Sequence, residues 1–334
     1  MLLAKVLHIT LTKEVSANAV ESVVIIGSGP AGYAAAIYTS REGMKPLLIT
    51  GNETGGQLEL TTTVENYPGF PEGLEGPELM RLFERQATRF GTRFISAEVT
   101  AVDFSASPYK LMLSNNGSVY ARAVIIATGA SARLMGLDSE KRLLGRGVST
   151  CATCDAPFFK GKEVVVVGGG DTAMEDALHL AEFAKSVTIV HRRESFRASR
   201  IMQQRVFAQP RISILWNTAP EEVLGDTKVS GVRLKDLSDG TIREMRIDGV
   251  FVAIGYNPNT KFLGGAIPLD DNGYIITTDE VMTGIPGVFA AGDVADKRYR
   301  QAVTAASSGV KAALEVRAFL QRLAYADTAA GAPA

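Results

Sequence analysis

Apolar runs without alternation recur along this chain, and each closes on a glycine turn: Val23–Ile26, Ala123–Ala127, Val164–Val167 and Gly249–Ile254. Unbroken apolar stretches of this kind predict strands buried on both faces, as in a parallel sheet covered by other layers. After the first run, residues 31–42 predict a helix able to pack Ala34, Ala35 and Ile37 on a sheet, and Leu47–Thr50 predicts a second strand. After the third run, a helix to about Lys185 precedes a strand over Val187–Val190. Strand, glycine turn, helix and strand are thus written twice. The expected fold class is α/β, with two Rossmann-like dinucleotide-binding domains. A further segment, Gly287–Gly309, has strand character up to Ala290, then Gly292 and Asp293, then a helix. Read alone, Asp293 is a helix N-cap.

The glycines indicate what the turns hold. Gly27, Gly29 and Gly32 satisfy G-x-G-x-x-G, and Gly168, Gly170 and Ala173 satisfy the variant ending in alanine. The first position allows a tight turn, the second a close approach to a pyrophosphate, and the third tight packing of helix on strand. The helix N-terminus then offers free N–H groups to the phosphates. One such motif is weak evidence, but here it stands in its full strand, turn, helix and strand context. Past the second strand of the first copy lies Glu53, the candidate for the ribose hydroxyls. The matching place in the second copy is basic, with His191, Arg192, Arg193 and, one turn on, Arg197. Cations there suit a 2′-phosphate, which favours NADPH over NADH.

Composition removes several classes. The 334 residues suffice for about two domains. A net charge of -1 leaves no basic excess for nucleic acid or an anionic membrane, and no apolar run approaches a membrane span. The Ala17-Asn18-Ala19 triplet imitates a signal-peptidase site, yet Lys5 and His8 interrupt the apolar stretch before it. Residues 1–20 are therefore read as an N-terminal tail and the protein as cytoplasmic. His8, His179 and His191 show no ligand spacing, and the only two cysteines cannot close a zinc site, so no metal is expected. Cys151 and Cys154 form C-x-x-C just before the second glycine turn, which reads as a redox couple. A thiolate is the attacking form, and a helix start after Cys151 would lower its pKa through the helix dipole. Arg142 and Arg146 could steer an acidic partner, with plain solvation an equal reading.

With CATC-D, GGGDTA, HRRESFRA and GVFAAGD…RQA assembled, the chain resembles the low-molecular-weight thioredoxin reductases of the bacterial type from about Val23 to Leu323. The resemblance implies the pyridine nucleotide-disulfide oxidoreductase architecture, of three-layer ββα type. It implies a discontinuous FAD-binding domain over residues 21–132 and 263–334, and an inserted NADPH-binding domain over 133–262 that carries the C-x-x-C. For FAD it points to Gly27, Ser28, Gly29, Pro30, Ala31 and Gly32, and to Asn52, Glu53, Gly55, Gly56, Gln57, Leu58 and Asn66. It adds Ala127, Thr128 and Gly129, then Gly292, Asp293, Arg300, Gln301 and Ala302. For NADPH it points to Gly168, Gly170, Asp171, Thr172, Ala173, His191, Arg192, Arg193 and Arg197. The implied activity carries reducing equivalents from NADPH through FAD and the Cys151–Cys154 disulfide to the disulfide of thioredoxin, in a homodimer. Cys154 is implied to face the flavin, Cys151 to attack thioredoxin, and Asp155 to carry a proton for the leaving thiolate, with helix capping the plainer role for Asp155. Nicotinamide and disulfide would then share one domain and take turns at a flavin held by the other, which implies a rotation about the linkers near 130–133 and 260–264.

Two other functions compete. An FAD-dependent thiol oxidase of the same superfamily would form a disulfide in a small dithiol and pass electrons to O2, but it has no use for Arg192, Arg193 and Arg197. A non-catalytic nucleotide sensor has no use for paired cysteines.

Overall fold

The computed structural model describes residues 19–61 and 63–330, with side chains through residue 326. The expected N-terminal tail lies almost wholly outside the described residues, and Val20, assigned to it, is the first residue of a strand. The chain divides into two compact units. Among the described residues, unit 1 comprises those up to Glu59, Tyr67–Ala130 and those from Pro258 onward, and unit 2 comprises those between Leu60 and Asn66 together with Ser131–Asn257.

Unit 1 begins with β1 (Val20–Ile26), α1 (Pro30–Arg41), β2 (Leu47–Ile49), α2 (Gly76–Arg89) and β3 (Arg93–Ile95). A meander of β4 (Val99–Asp103), β5 (Tyr109–Leu113) and β6 (Ser118–Ile126) follows. Strands β3, β2, β1 and β6 lie side by side in parallel, with Val24 opposite Leu47 and Val124. The first residues of β6 also pair antiparallel with β5, which pairs with β4. One long strand therefore serves two layers. Alternation decides which side chains join them: Val24, Ile26, Val124 and Ile126 cluster with Phe104, Leu111, Leu113 and Val119 of the meander. Val23 and Ile25 point to the opposite face, where α1 contacts β1, and they too are fully buried. The unalternated apolar runs follow directly from this double burial.

Unit 2 repeats the plan. After the short strand Val148–Ser149 come β7 (Glu163–Gly168), α3 (Asp171–Phe183), β8 (Ser186–Val190), α4 (Arg200–Phe207) and β9 (Ile212–Leu215). The meander β10 (Thr218–Leu224), β11 (Gly231–Asp236) and β12 (Ile242–Arg246) leads into β13 (Gly249–Ala253). The parallel order is Val148–Ser149, β13, β7, β8, β9. Val165, Val167, Val250 and Val252 pack on Val223, Val232 and Leu234 of the meander. Val164, Val166, Phe251 and Ala253 pack on Ala173, Met174, Ala177 and Leu180 of α3. Two α/β units of ββα type are thus present.

The chain then returns to unit 1. β14 (Val288–Ala290) pairs with β6 in parallel, and α5 (Ala302–Ala330) packs along α1. The helix expected directly after Asp293 starts only at Ala302, since a 3-10 turn over Gly292–Val294 and an irregular stretch intervene. At the crossings, Asn259 N and Nδ2 donate to Gly129 O and Thr128 O within unit 1. Arg133 N donates to Gly255 O, and its Nε to Asn257 Oδ1, within unit 2. These bonds lie on either side of the return crossing, which follows Asn257. Among the described residues, no helix is long and apolar enough to cross a membrane.

The α1–α5 contact is close enough to test. A Cβ on Gly309 of α5 would fall 2.1 Å from Ala31 O. Gly-to-Ala in a helix interior normally gains about 1 kcal/mol, but overpacking costs roughly 1–3 kcal/mol and here falls on rigid backbone. Gly309→Ala is therefore expected to lower the urea midpoint, whereas Leu314→Ala at an exposed site of the same helix should leave stability within about 0.5 kcal/mol. A Gly309→Ala protein as stable as the parent would contradict the packing.

Candidate active site: two glycine turns and a disulfide

In unit 1 the three motif glycines differ in what surrounds them. Gly27 has φ +108°, and a Cβ there would lie 2.3 Å from Ala127 O. A Cβ on Gly32 would lie 1.9 Å from Gly27 O, so α1 presses directly on the turn. A Cβ on Gly29 would meet nothing within 4 Å. The tight positions are filled by protein, and the middle one faces open space of the kind a pyrophosphate needs. Gly29 is the N-cap of α1 and Pro30 its first residue, with no side-chain cap, so the first-turn N–H groups are left for an anion. The Ser28 side chain is engaged within the protein. Its buried hydroxyl donates to Thr50 O at 2.8 Å and accepts from Gly55 N at 3.0 Å, which ties the loop after β2 to the turn.

That loop carries Asn52, Glu53, Gly55 and Gly56, with Gln57 and Leu58 in the 3-10 turn Gly56–Leu60. Gly55 and Gly56 have φ of +92° and +65°, and a Cβ on Gly56 would stand 3.5 Å from Gly29 Cα. Asn52 Nδ2 donates to Glu98 Oε2 at 2.8 Å, so its amide is engaged, while Glu53 is exposed. Asn66 belongs to the short segment grouped with unit 2. Thr128 Oγ1 donates to Asn259 O, so Thr128 and Gly129 secure the crossing as well as flanking the turn.

Asp293 sits in unit 1, in the 3-10 turn after β14. Its Oδ1 is buried with no hydrogen-bond partner among the described residues, although part of the residue reaches solvent. Burial, followed by repulsion from Asp296, pushes its pKa up to about 7 against the attraction of Arg300. An acceptor left unpaired in an interior is costly. A hydroxyl-rich ligand would satisfy it, which the N-cap role would not. Arg300 holds φ +50°, Gln301 N bonds Thr304 Oγ1, and Ala302 opens α5.

The second turn has the same logic with different parts. A Cβ on Gly168 would lie 2.4 Å from Ala253 O and 2.7 Å from Ala173 Cβ, whereas one on Gly170 would meet nothing. Gly170 is the uncapped N-cap of α3, and Asp171 and Thr172 open that helix. Sequence reasoning missed Gly169, whose Cβ would fall 2.1 Å from the His191 ring. His191 is buried, with Nε2 on Ser195 O at 3.0 Å, and burial lowers its pKa so that the ring is neutral near pH 7. It therefore packs under the turn and adds no charge to the basic loop. Arg192, Arg193 and Arg197 are exposed on that loop and form no ion pair among the described residues.

Cys151 and Cys154 are joined as a disulfide with Cα atoms 5.3 Å apart. The helix behind Cys151 is a single turn, Ala152–Asp155, too short to carry much of the expected dipole. The polarising group is local: Cys151 Sγ occupies the N-cap and accepts from Cys154 N at 3.2 Å. Ala152, Ala156 and Phe159 bury this turn against α3, in the cluster of Ala173, Met174 and Ala177. Gly249 makes room for the Phe159 ring, which a Cβ would approach to 2.3 Å. Sequence reasoning also missed Tyr256, whose hydroxyl donates to Thr150 O at 2.6 Å and steadies the entry to the pair. Asp155 makes no side-chain cap bond, so the helix-capping role is unsupported. Burial raises its pKa, opposed by a hydrogen bond from Ser149.

A disulfide packed on the helix that follows a glycine turn, in a chain that carries a second such turn, agrees with the comparisons. Residues 21–309 match the family described as pyridine nucleotide-disulphide oxidoreductase. The chain belongs to that family. Among the similar members, the thioredoxin reductase of Rickettsia prowazekii (strain Madrid E) is 50% identical over 304 residues, covering 90% of this chain and 98% of that protein. The thioredoxin reductase of Streptomyces coelicolor is 49% identical over 313 residues, covering 93% and 97%. The crystal structure of thioredoxin reductase from Streptococcus pyogenes MGAS5005 superposes with a TM-score of 0.88 at 38% identity, covering 91% of this chain and 99% of that one. As a pyridine nucleotide-disulphide oxidoreductase, the chain has a reason for two glycine turns and one dithiol.

Asp293 generates a pH test. A carboxyl whose folded pKa is raised favours the folded state below its unfolded pKa and loses that contribution as pH rises through about 7. In the cofactor-free protein, Asp293→Asn is expected to be more stable than the parent above pH 7. The gap should shrink towards pH 4 and below. Melting temperatures across that range check it, and a pH-independent gap would contradict the buried, unpaired carboxyl.

Proposed function

We propose that the chain catalyses NADPH-dependent reduction of the disulfide of thioredoxin, with FAD bound in unit 1, NADPH in unit 2, and the Cys151–Cys154 pair as the outlet. The observation that carries the reading is the redox disulfide built onto α3, the helix that also starts at the second nucleotide turn. Relatives about half identical over nine-tenths of the chain support the substrate. The residues suit both nucleotides. Gly29 and the uncapped start of α1 would take the FAD pyrophosphate, and Asp293 a hydroxyl of its ribityl chain. Gly170 and the start of α3 would take the NADPH pyrophosphate, with Arg192, Arg193 and Arg197 on the 2′-phosphate. When bound, FAD supplies two-electron exchange between a pyridine nucleotide and sulfur.

The chain's own groups perform the sulfur chemistry. In the dithiol state, the Cys154 N–H directed at Cys151 Sγ stabilises a thiolate there. The Cys151 thiolate attacks one sulfur of the thioredoxin disulfide, forming a mixed disulfide and expelling the other sulfur as thiolate. Asp155, kept protonated to higher pH than a free carboxyl by burial, gives that leaving thiolate a proton. Cys154, losing its proton to solvent, then attacks Cys151 Sγ as a thiolate, re-forms the intramolecular disulfide and releases the second thioredoxin sulfur as a thiolate that solvent protonates. Ser149 steadies the arrangement by accepting from Cys151 N at 3.1 Å.

Steady-state turnover with NADPH and thioredoxin tests the reading. Cys151→Ser and Cys154→Ser should each abolish it, and Asp155→Asn should lower kcat by about 10²-fold, the low end for loss of a general acid. Undiminished turnover in either serine variant would overturn the assignment.

A further inference from the structure

We propose that Asp171 is a positioning residue for 2′-phosphate recognition, acting by latching the basic loop rather than by touching the nucleotide. The proposal rests on the reading of Arg192, Arg193 and Arg197 as the 2′-phosphate site. Those three cations are exposed on one loop between β8 and α4. Like charges on a short loop repel, and ordering them when the ligand arrives would cost affinity. The loop must therefore be held in advance by groups other than its arginine side chains.

Three ties do this. His191 Nε2 meets Ser195 O at 3.0 Å, and Phe196 is buried against Trp216 with ring centroids 4.3 Å apart. Gly169 O accepts from Arg197 N at 2.8 Å and from Ala198 N at 3.2 Å. Asp171 Oδ1 accepts from Ser199 N at 2.8 Å and from Ser199 Oγ at 2.7 Å. The first two hold the middle of the loop. The third fixes its exit, because Ser199 is the N-cap of α4 and stands two residues past Arg197. Ser199 has no side-chain cap bond within α4, so its hydroxyl is spent on Asp171 instead. A carboxylate next to a phosphate site is otherwise unfavourable by simple repulsion. Its two bonds are charge-assisted and stronger than neutral ones. Both fall on one oxygen, so an asparagine keeps the acceptor while an alanine has none.

The test is calorimetric binding of adenosine 2′,5′-bisphosphate and of 5′-AMP to the full-length protein, read as the ratio of the two dissociation constants. The ratio cancels any loss of folded protein. The parent should prefer the bisphosphate. Asp171→Ala should reduce that preference about tenfold, the loss of roughly one charged-group hydrogen bond. Asp171→Asn should retain the preference, and Ser199→Ala, which leaves the Ser199 N–H in place, should fall between them and carries the test if Asp171→Ala does not fold. An Asp171→Ala protein with the parental ratio overturns the latch while leaving the NADPH reading intact. A ratio that rises in Asp171→Ala also overturns it, since the carboxylate would then be acting as a repelling charge. A parent with no preference overturns both the latch and the reading beneath it.

Discussion

The architecture depends on a steric constraint: at the first position of each nucleotide turn there is no room for a β-carbon. That atom would stand 2.3 Å from Ala127 O at Gly27 and 2.4 Å from Ala253 O at Gly168. The neighbouring parallel strand ends against the turn in both units, and the helix then starts directly above it. The crowding at the first and third positions leaves the middle one open, at Gly29 and again at Gly170. A helix start with bare N–H groups therefore faces unfilled space twice in one chain. The layers serve this geometry. Each parallel sheet is covered by helices on one face and by a three-stranded meander on the other, which holds the strand ends in register.

The disulfide inherits its position from the same packing. Its one-turn helix is an apolar plug, with Ala152, Ala156 and Phe159 seated on the α3 core, and Gly249 is small so that the Phe159 ring fits. Polar tuning is layered on top. Cys154 N polarises the Cys151 sulfur, Ser149 holds the Cys151 backbone, and burial raises the Asp155 pKa above the ordinary carboxylate range. A group that donates a proton to a departing thiolate needs a pKa nearer to neutrality than a solvated carboxyl has, and desolvation supplies that direction of shift.

Features set by local steric demands were legible in the sequence. Val23–Ile26 and Val164–Val167 read as doubly buried strands because their neighbours on both sides are apolar, and the glycine spacings follow from backbone contacts a few residues away. The meanders over residues 99–126 and 218–246 carry weaker signals, since short strands with one exposed face resemble loops in composition. Contacts between residues far apart in the chain were not legible. The Ser28 hydroxyl bridges Thr50 and Gly55, a tie to the loop after β2 that the glycine motif does not reveal. The His191 ring fills the space that Gly169 leaves, a contact between segments that the basic run around it does not announce. Tyr256 gave no signal because its partner, Thr150, is a backbone carbonyl in a distant segment. The one-turn helix at Cys151 was too short for periodicity to define its end.

The central claim is that one chain couples a pyridine nucleotide site, a flavin site and a dithiol. Anaerobic reductive titration of the FAD-loaded protein tests it most directly by counting electrons. The account predicts uptake of two electrons by the flavin and two more by the Cys151–Cys154 disulfide, the second pair vanishing when both cysteines are serine. Uptake limited to the flavin's own two electrons in the parent protein, with the disulfide left intact, would contradict it.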